Sequence, residues 1–292
     1  MLKRIYYALV PLAVLLAVSL LACLLGYFLV QAVGDRFTLS KVISKTTLVF
    51  LVLSIFPAMA RLKIGRSDLG FASGNLWLKQ IPQGFALGLL ILLPVLSAEY
   101  LLDIQSLDRA KEWTALLIAR KMGLILLLSL LISLIEESLF RGLLIASLGR
   151  KMPPFAAIAV SALYYASLHF LHSHSTIPGE QADWSSGFRL LAEAFGNLFN
   201  AYNFPDWLAL FAVGIFLGIL RTRSSANLGL CIGCHSAWVW QIKMGKTLFD
   251  THHNAEYGFL VGYYDGMIGW LVAGWLALFL LAYGVYLRVR GI

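Results

Sequence analysis

The stretch from Met122 to Leu148, MGLILLLSLLISLIEESLFRGLLIASL, decides the fold of this chain. Its only charged side chains are Glu136, Glu137 and Arg141. A helix crosses a hydrocarbon core of about 30 Å with about 20 residues, so the run is long enough to span a membrane. Backbone polar groups in lipid must be bonded within the segment, and the run is therefore predicted to be a helix.

The rest of the chain repeats this pattern. Of its 292 residues, 60% are hydrophobic and 13% are charged, and the mean hydropathy is +0.79. A soluble domain has a charged fraction of about 25%, so a soluble globular protein is excluded. We predict an all-α, polytopic integral membrane protein with eight spans. These are Tyr7–Gln31, Val42–Ala60, Phe85–Leu102, Met122–Leu148, Pro154–Phe170, Trp207–Leu220, Leu228–Ile242 and Met267–Leu287.

The first apolar block has some features of a signal peptide. A basic start at Lys3 and Arg4 precedes it, and the residues before Cys23 weakly resemble a lipoprotein cleavage box. The apolar run continues past Cys23 to Val30, however, which is longer than a typical signal core. We therefore expect it to be retained as the first helix.

Basic residues at the ends of the apolar blocks predict the topology. With the N-terminus inside, the inner segments hold twelve lysines and arginines and one acid, Asp68. The outer segments hold ten cations, Lys111 among them, together with nearly all the other acids. Compact basic inner loops favour both termini on the cytoplasmic side, with the cell membrane as the expected location. The net charge of +8 is explained by this topology, and no nucleic-acid partner is expected.

Two outer segments are longer than a connection requires. Within Leu171–Asp206, apolar residues recur at helical spacing across Ser185–Phe199, which predicts an amphipathic helix at the membrane interface. Gly245–Asp265 is polar and rich in aromatic residues without a clear period. Both segments are interpreted either as caps over a cavity or as ordinary connecting loops.

The three charges inside the fourth span carry the strongest functional signal. A charge at the middle of a bilayer costs at least about 2.5–3.5 kcal/mol on insertion scales, so such residues face a cavity and usually mark function. Glu137 and Arg141 are four residues apart on one helix face and can pair. Glu136 has no local cation, and burial beside a like charge should raise its pKa toward neutrality, as a general base requires. The alternative is that the three charges only lock helix packing.

Two histidines in later spans extend the set. His169 lies four residues after Tyr165 near the end of the fifth span, where a lone histidine is more often an interface anchor than a catalyst. His235 lies inside the seventh apolar run, where an unpaired imidazole is unfavourable. Together with Glu136, two intramembrane histidines form a set able to activate water and stabilise an oxyanion.

This combination resembles the CAAX protease and bacteriocin-processing family of intramembrane endopeptidases, also called the Abi family. The resemblance rests on Glu-Glu-x-x-x-Arg, an aromatic residue four positions before a histidine on the next helix, and a later histidine, and it covers roughly Leu124–Ile242. It implies that Glu136 activates water and that Glu137 is its partner. It further implies that Arg141 is the motif arginine, that His169 is the second-motif histidine and that His235 helps bind the oxyanion.

The chain departs from the family pattern at two positions. Tyr165 replaces the usual phenylalanine, which is a mild change. Val239 stands where the family often has an asparagine that completes the oxyanion site, and valine cannot donate a hydrogen bond. Trp238 or a backbone group would have to replace that donor, or the activity is altered.

Other cysteines and histidines have simpler interpretations. Cys231, Cys234 and His235 fit the pattern for covalent c-type haem, but the pattern lies inside an apolar helix, and small residues at a helix contact are the preferred interpretation. The pairs His172/His174 and His252/His253 lie in outer loops. Either pair could bind a metal, although solvated loop histidines are the default.

We therefore predict an intramembrane endopeptidase, with N-terminal transmembrane helices at residues 1–121 and a protease core at residues 122–292. The expected substrate is a membrane-associated or lipidated peptide or protein, and its identity is not readable. No organic cofactor is expected. Two mechanisms stay open. In one, two histidines and a glutamate hold a zinc ion; in the other, the glutamate acts without a metal. The alternative is a non-catalytic membrane protein, either an immunity or interaction factor or a proton-coupled transporter.

Overall fold

The structure, a computed structural model, describes residues 2–33, 36–110, 112–223 and 226–290; Lys111 lies outside them. It is built almost entirely of helices. The helices are α1 (Leu2–Val33), α2 (Leu39–Leu62), α3 (Leu76–Leu101), α4 (Ala115–Glu137), α5 (Ile145–Gly149), α6 (Pro154–His169), α7 (Ser186–Asn197), α8 (Phe204–Thr222), α9 (Leu228–Leu248) and α10 (Trp270–Arg290). A π-helical segment, Ser138–Leu144, joins α4 to α5, and β1 (Gln105–Leu107) pairs antiparallel with β2 (Phe249–Thr251).

All eight predicted spans fall on helices, and the all-α membrane fold is confirmed. Six helical stretches in the described part are long and apolar enough to cross a membrane, so the count of eight spans is not confirmed. The two predicted spans outside that set are α6 and α9. The first has only 16 residues. The second carries glycine, histidine, serine and glutamine within its apolar run, which lowers its hydropathy.

The position of α9 in the bundle explains its lower hydropathy. It packs along α3 and also contacts α4, so most of its first four turns are buried in protein. The contact with α3 is close because glycines face it. A side chain at Gly84 would meet the backbone of Leu230, and one at Gly233 would meet the carbonyl of Ile81. A helix surrounded by other helices can carry polar residues that a lipid-facing helix cannot.

The cysteines on α9 belong to this packing. Cys231 and Cys234 are both fully buried. The backbone of Cys234 lies against Gly88 of α3, and the thiol of Cys231 lies 3.5 Å from the carbonyl of Leu217 on α8. The close helix contacts leave no room for a haem group here. The interpretation as small packing residues is confirmed.

The outer segments have more structure than their sequence suggested. The predicted amphipathic helix is present as α7, and it packs on α1 where Gly187 touches Cys23. Cys23 lies in the middle of the continuous helix α1 and is 1% exposed. The last outer segment starts later than predicted, because α9 runs on to Leu248 before β2 begins. The division into residues 1–121 and 122–292 stays a prediction.

A candidate intramembrane active site

Two buried charges pair at the end of α4. Arg141 Nη1 donates to Glu137 Oε1 at 2.9 Å, and the two side chains are 1% and 0% exposed. The predicted ion pair is therefore present. Arg141 lies within the π-helical segment rather than the regular helix expected from the sequence. Such wide turns are rare and are frequently found at functional sites.

The same carboxylate also binds His235, which comes from α9. His235 Nδ1 lies 2.8 Å from Glu137 Oε1. Glu137 Oε1 is the acceptor for Arg141, and it acts as an acceptor again here, so His235 donates to it through Nδ1–H. The other ring nitrogen, Nε2, lies 3.4 Å from the Tyr165 hydroxyl and 3.9 Å from Glu136 Oε2. Glu137 thus fixes which nitrogen of His235 is turned toward Glu136.

Tyr165 completes the buried part of the site. Its side chain is 2% exposed, and the Arg141 guanidinium lies 4.3 Å from the centre of its ring, at cation–π distance. Trp238 does not replace the missing asparagine donor, because its Nε1–H donates to the carbonyl of Gly88 at 3.0 Å. The Tyr165 hydroxyl is therefore the polar group found beside His235, where Val239 offers no hydrogen-bond donor.

Glu136 is placed quite differently from Glu137. Its side chain is 27% exposed and lines a cavity of about 640 Å³, together with His169. Within the described residues its Oε2 has no hydrogen-bond partner. Two adjacent carboxylates therefore have separate environments: one is sealed between Arg141 and His235, and the other faces open space.

His169 presents one ring nitrogen to that cavity. Its Nδ1 lies 2.7 Å from the carbonyl oxygen of Tyr165, and a carbonyl only accepts, so Nδ1 carries the proton. In the neutral ring Nε2 is then free to accept a proton or hydrogen bond. The centre of the His169 ring lies 4.7 Å from the centre of the Tyr165 ring and 6.2 Å from that of Tyr264, both edge-on.

Parts of the cavity wall were not found from the sequence. One wall is α2, whose Ser44, Thr47, Leu48 and Leu51 recur at helical spacing along it. Another is α7, so the first long outer segment lines this cavity. Sequence patterns show that a helix is amphipathic or apolar, but they do not show which distant helix faces the charged turn of α4.

Tyr264 is the missed residue nearest the predicted catalytic set. It lines the cavity, and burial raises the pKa of its hydroxyl to about 12, so the phenol keeps its proton. Asp265 anchors this loop, since its Oδ1 accepts from the backbone N–H groups of Met267 and Ile268 at 2.9 and 2.8 Å. Burial also raises the pKa of Asp265. The aromatic bias of Gly245–Asp265 was the only sequence signal for this residue.

Of the four outer-loop histidines, His174 and His252 are exposed as predicted, and His172 and His253 are partly buried. His172 is half-buried and lines the cavity, and burial lowers the pKa of its imidazole. The exposed His174 contacts Asn197 through Nε2, at 3.2 Å. In the last loop, His252 Nε2 lies 2.6 Å from the Ser106 hydroxyl, and His253 stacks on an aromatic ring.

A metal site requires several side chains whose ligand atoms surround one point. Among the described residues, no three histidine, cysteine, aspartate or glutamate side chains converge as a metal site would require. Glu137 is already bonded to Arg141 and His235, so it is not available as a ligand. In this structure the two histidines and Glu136 are therefore not arranged as the zinc site that the sequence suggested.

Fold and site together define a polytopic membrane protein with a carboxylate–histidine centre at the edge of a cavity inside its helix bundle. Residues 118–241 match the family model described as Type II CAAX prenyl endopeptidase Rce1-like. The match covers less than half of the chain, and it confirms the resemblance to the CAAX protease family seen in the motifs. Comparisons with curated proteins and with solved structures gave no significant match. The family indicates an intramembrane protease.

Proposed function

We propose that this protein is an intramembrane endopeptidase in which Glu136 activates the attacking water. The observation that carries the proposal is the different placement of the two adjacent glutamates. Glu136 lines the cavity beside His169, whereas Glu137 is buried and bonded to Arg141 and His235. Only the first carboxylate is open to a substrate and to water. A carboxylate with no hydrogen-bond partner in a partly buried site is a suitable general base.

The chemical step follows from these positions. Glu136 accepts a proton from water as the oxygen adds to the carbonyl carbon of the scissile peptide bond. The carbonyl π-electrons move to oxygen. His235 stabilises the resulting oxyanion through a proton on Nε2, which it carries in addition to the Nδ1–H bonded to Glu137. When the intermediate collapses, the C–N bond breaks and the proton held by Glu136 passes to the leaving amine. His169 Nε2, facing the same cavity, orients the water or the leaving group.

The cavity is suited to a peptide that enters from the membrane. Its walls combine apolar side chains of α2 and α4 with hydroxyls of Ser40, Ser44, Thr47 and Ser173. A lipid-anchored or membrane-embedded peptide presents both kinds of surface. The substrate class we propose is therefore a membrane-associated or lipidated peptide or protein, for which a prenylated protein and a bacteriocin leader fit equally. With both termini cytoplasmic, the hydroxyl-lined end of the cavity lies toward the opposite side.

A second function is favoured by one residue. Val239 offers no donor at the position of the family's asparagine, which suits a non-catalytic immunity or interaction protein, or a transporter relaying protons. The two functions differ in what Glu136→Gln would do. This change keeps the shape of the side chain but removes its basicity.

The deciding experiment compares variants in a cleavage assay on membrane peptides that accumulate in cells lacking the protein. Glu136→Gln should lower cleavage by at least about 10²-fold, since general-base catalysis contributes about 10²–10⁴-fold. His169→Ala should lower cleavage similarly, and His235→Ala by about 10²–10³-fold through lost oxyanion stabilisation. Val239→Ala is the matched control and should cleave normally. If Glu136→Gln supports every activity of the parent, the protease proposal fails and the interaction protein replaces it.

A further inference from the structure

A second polar cavity, of about 470 Å³, lies at the end of the helix bundle where both termini are. It shares no lining residue with the first cavity, since it is formed by the loop after α2 and by the ends of α5 and α8. Its charged lining residues are Arg150, Arg221 and Asp68. The hydroxyls of Ser67 and Ser73 also line it. Nothing in the proposed protease mechanism uses this cavity.

The Arg221 side chain is held rigidly at the wall of this cavity. It is 7% exposed, and its Nη2 donates to the carbonyl of Asp68 at 2.9 Å. Its guanidinium lies directly over Gly70, where any side chain would collide with it. Gly70 has φ +95, a conformation that glycine adopts freely. The loop is thus shaped to place a fixed positive charge at this wall.

Arg150 supplies a second positive charge on the α5 side. Its guanidinium donates to the carbonyls of Leu62 and Lys63 at 2.6 and 3.4 Å, and lies 3.5 Å from Asp68 Oδ2. Carbonyl partners carry only partial charges, so they orient the guanidinium without neutralising it. With Asp68 as the one acid among the described lining residues, the cavity keeps a net charge of +1 (two arginines less one aspartate).

Two helices add to this positive potential. The lining residue Ser73 lies three residues before the start of α3, and Ala226 lies two residues before the start of α9. Neither helix has a side-chain hydrogen bond at its N-cap. Helix N-termini carry a partial positive charge and favour anions. Two arginines and two serines therefore line the cavity, and the two helix N-termini lie two or three residues beyond its wall.

The depth of the cavity indicates the source of the anion. Arg150 follows directly on the membrane span Ala115–Gly149, and Arg221 is in the last turn of the span Ala201–Thr222. Both arginines thus lie at the ends of membrane-spanning stretches, which is the level at which headgroup phosphates are expected. We propose that this cavity binds the phosphate of an anionic lipid headgroup. Basic pockets between transmembrane helices at this level are suited to such headgroups.

The test uses the full chain in a zwitterionic detergent. Bound lipid is counted by native mass spectrometry, and affinity is read from the rise in melting temperature as phosphatidylglycerol is added. Phosphatidylcholine with the same acyl chains is the lipid control, and inorganic phosphate is the soluble one. Arg150→Gln is the main variant, because Arg221 is packed too tightly to change safely. Arg288→Gln is its matched control, since it removes the same charge from the same face at α10.

We expect phosphatidylglycerol to bind and phosphatidylcholine not to do so at the same concentration. Arg150→Gln should weaken binding by about tenfold, the loss expected for one charge-assisted hydrogen bond. Asp68→Asn should tighten binding by removing the competing carboxylate, while its side-chain oxygen still accepts from the Gly65 N–H, a contact of 2.8 Å.

Equal weakening by Arg150→Gln and Arg288→Gln would overturn the proposal, because attraction would then come from the whole face. Equal binding of the two lipids would overturn it as well. Saturable stabilisation by inorganic phosphate alone, lost in Arg150→Gln, would overturn the lipid as the source and assign the cavity to free phosphate. Loss of protease activity would not bear on this result, since the readouts are lipid binding and melting temperature.

Discussion

His235 Nδ1 donates to Glu137 Oε1 across 2.8 Å, and this contact joins α9 to α4. Glu137 accepts from Arg141 with the same oxygen, at 2.9 Å. One buried carboxylate therefore bonds the cation of its own helix and the imidazole of another. Because a buried charge is tolerated only when it is paired, this set holds the two helices in register and the imidazole in one orientation.

Arg141→Ala should destabilise the protein strongly. It leaves Glu137 buried without its cation, and removing one partner of a buried pair costs about 3–5 kcal/mol. Arg189→Ala is the matched control, since its pair with Asp183 is exposed and such pairs contribute about 0–1 kcal/mol. Thermal unfolding in detergent measures both. Equal melting temperatures for the Arg141 variant and the parent would show that the pair contributes nothing.

This pair was predictable from the sequence, and the reason is local. Residues four apart on a helix are neighbours, and a charge inside an apolar run must face a partner or a cavity. The π-helical segment around Arg141 was not predictable, since nothing in the residues marks a wide turn. The contact between His235 and Glu137 was not predicted, because 98 residues separate them and the resemblance implied only that His235 helps bind the oxyanion.

The cavity was less predictable than the charges beside it. The amphipathic pattern of Ser185–Phe199 showed that a helix forms there, and α7 confirms it. Neither that pattern nor the apolar run of α2 showed that both would line the cavity of Glu136. Tyr264 was missed for the same reason, since an irregular loop has no period to interpret. Contacts between distant segments depend on packing, which a single sequence does not display.

The predicted orientation can be tested with reporter fusions. A reporter at Ser175 should be found outside, and one at the C-terminus should be found inside, because the basic loops collect on the side of the termini. Ser175 lies in the segment between α6 and α7, next to the cavity. Both reporters on the same side would contradict the topology. Both in the reversed positions would place the cavity toward the cytoplasm instead.

Glu193 should give the outer segment a dependence on pH. Its carboxylate accepts from the Ser173 hydroxyl at 2.7 Å and from the backbone N–H groups of His174 and Ser175 at 2.9 and 3.1 Å. These hydrogen bonds, led by the one from Ser173, lower its pKa to about 2. A lowered carboxylate pKa stabilises the fold above the unfolded value, and that stability is lost as pH falls from about 4.3 toward 2.

The measurement is the difference in melting temperature between the parent and Glu193→Gln. We expect the parent to be more stable at pH 6 and the difference to shrink as pH falls below about 4. Glu256→Gln, in the last outer loop, is the control for removal of a surface carboxylate. A difference that stays constant from pH 6 to pH 3 would show that the Glu193 charge does not anchor this loop to α7.

Tyr165→Phe tests how the site works with Val239 in place of the family's asparagine. Phenylalanine keeps the ring that lies under the Arg141 guanidinium, so folding should survive. It removes the hydroxyl that lies 3.4 Å from His235 Nε2, a long distance for a hydrogen bond. If this hydroxyl orients His235 for the oxyanion, kcat should fall by less than about tenfold, which corresponds to about 1 kcal/mol for one neutral hydrogen bond. KM should stay the same.

The control is Tyr164→Phe, because the Tyr164 hydroxyl donates to the carbonyl of Ala8, away from this site. An unchanged kcat in Tyr165→Phe would show that the hydroxyl takes no part. A rise in KM alone would place Tyr165 in substrate binding rather than in the positioning of His235.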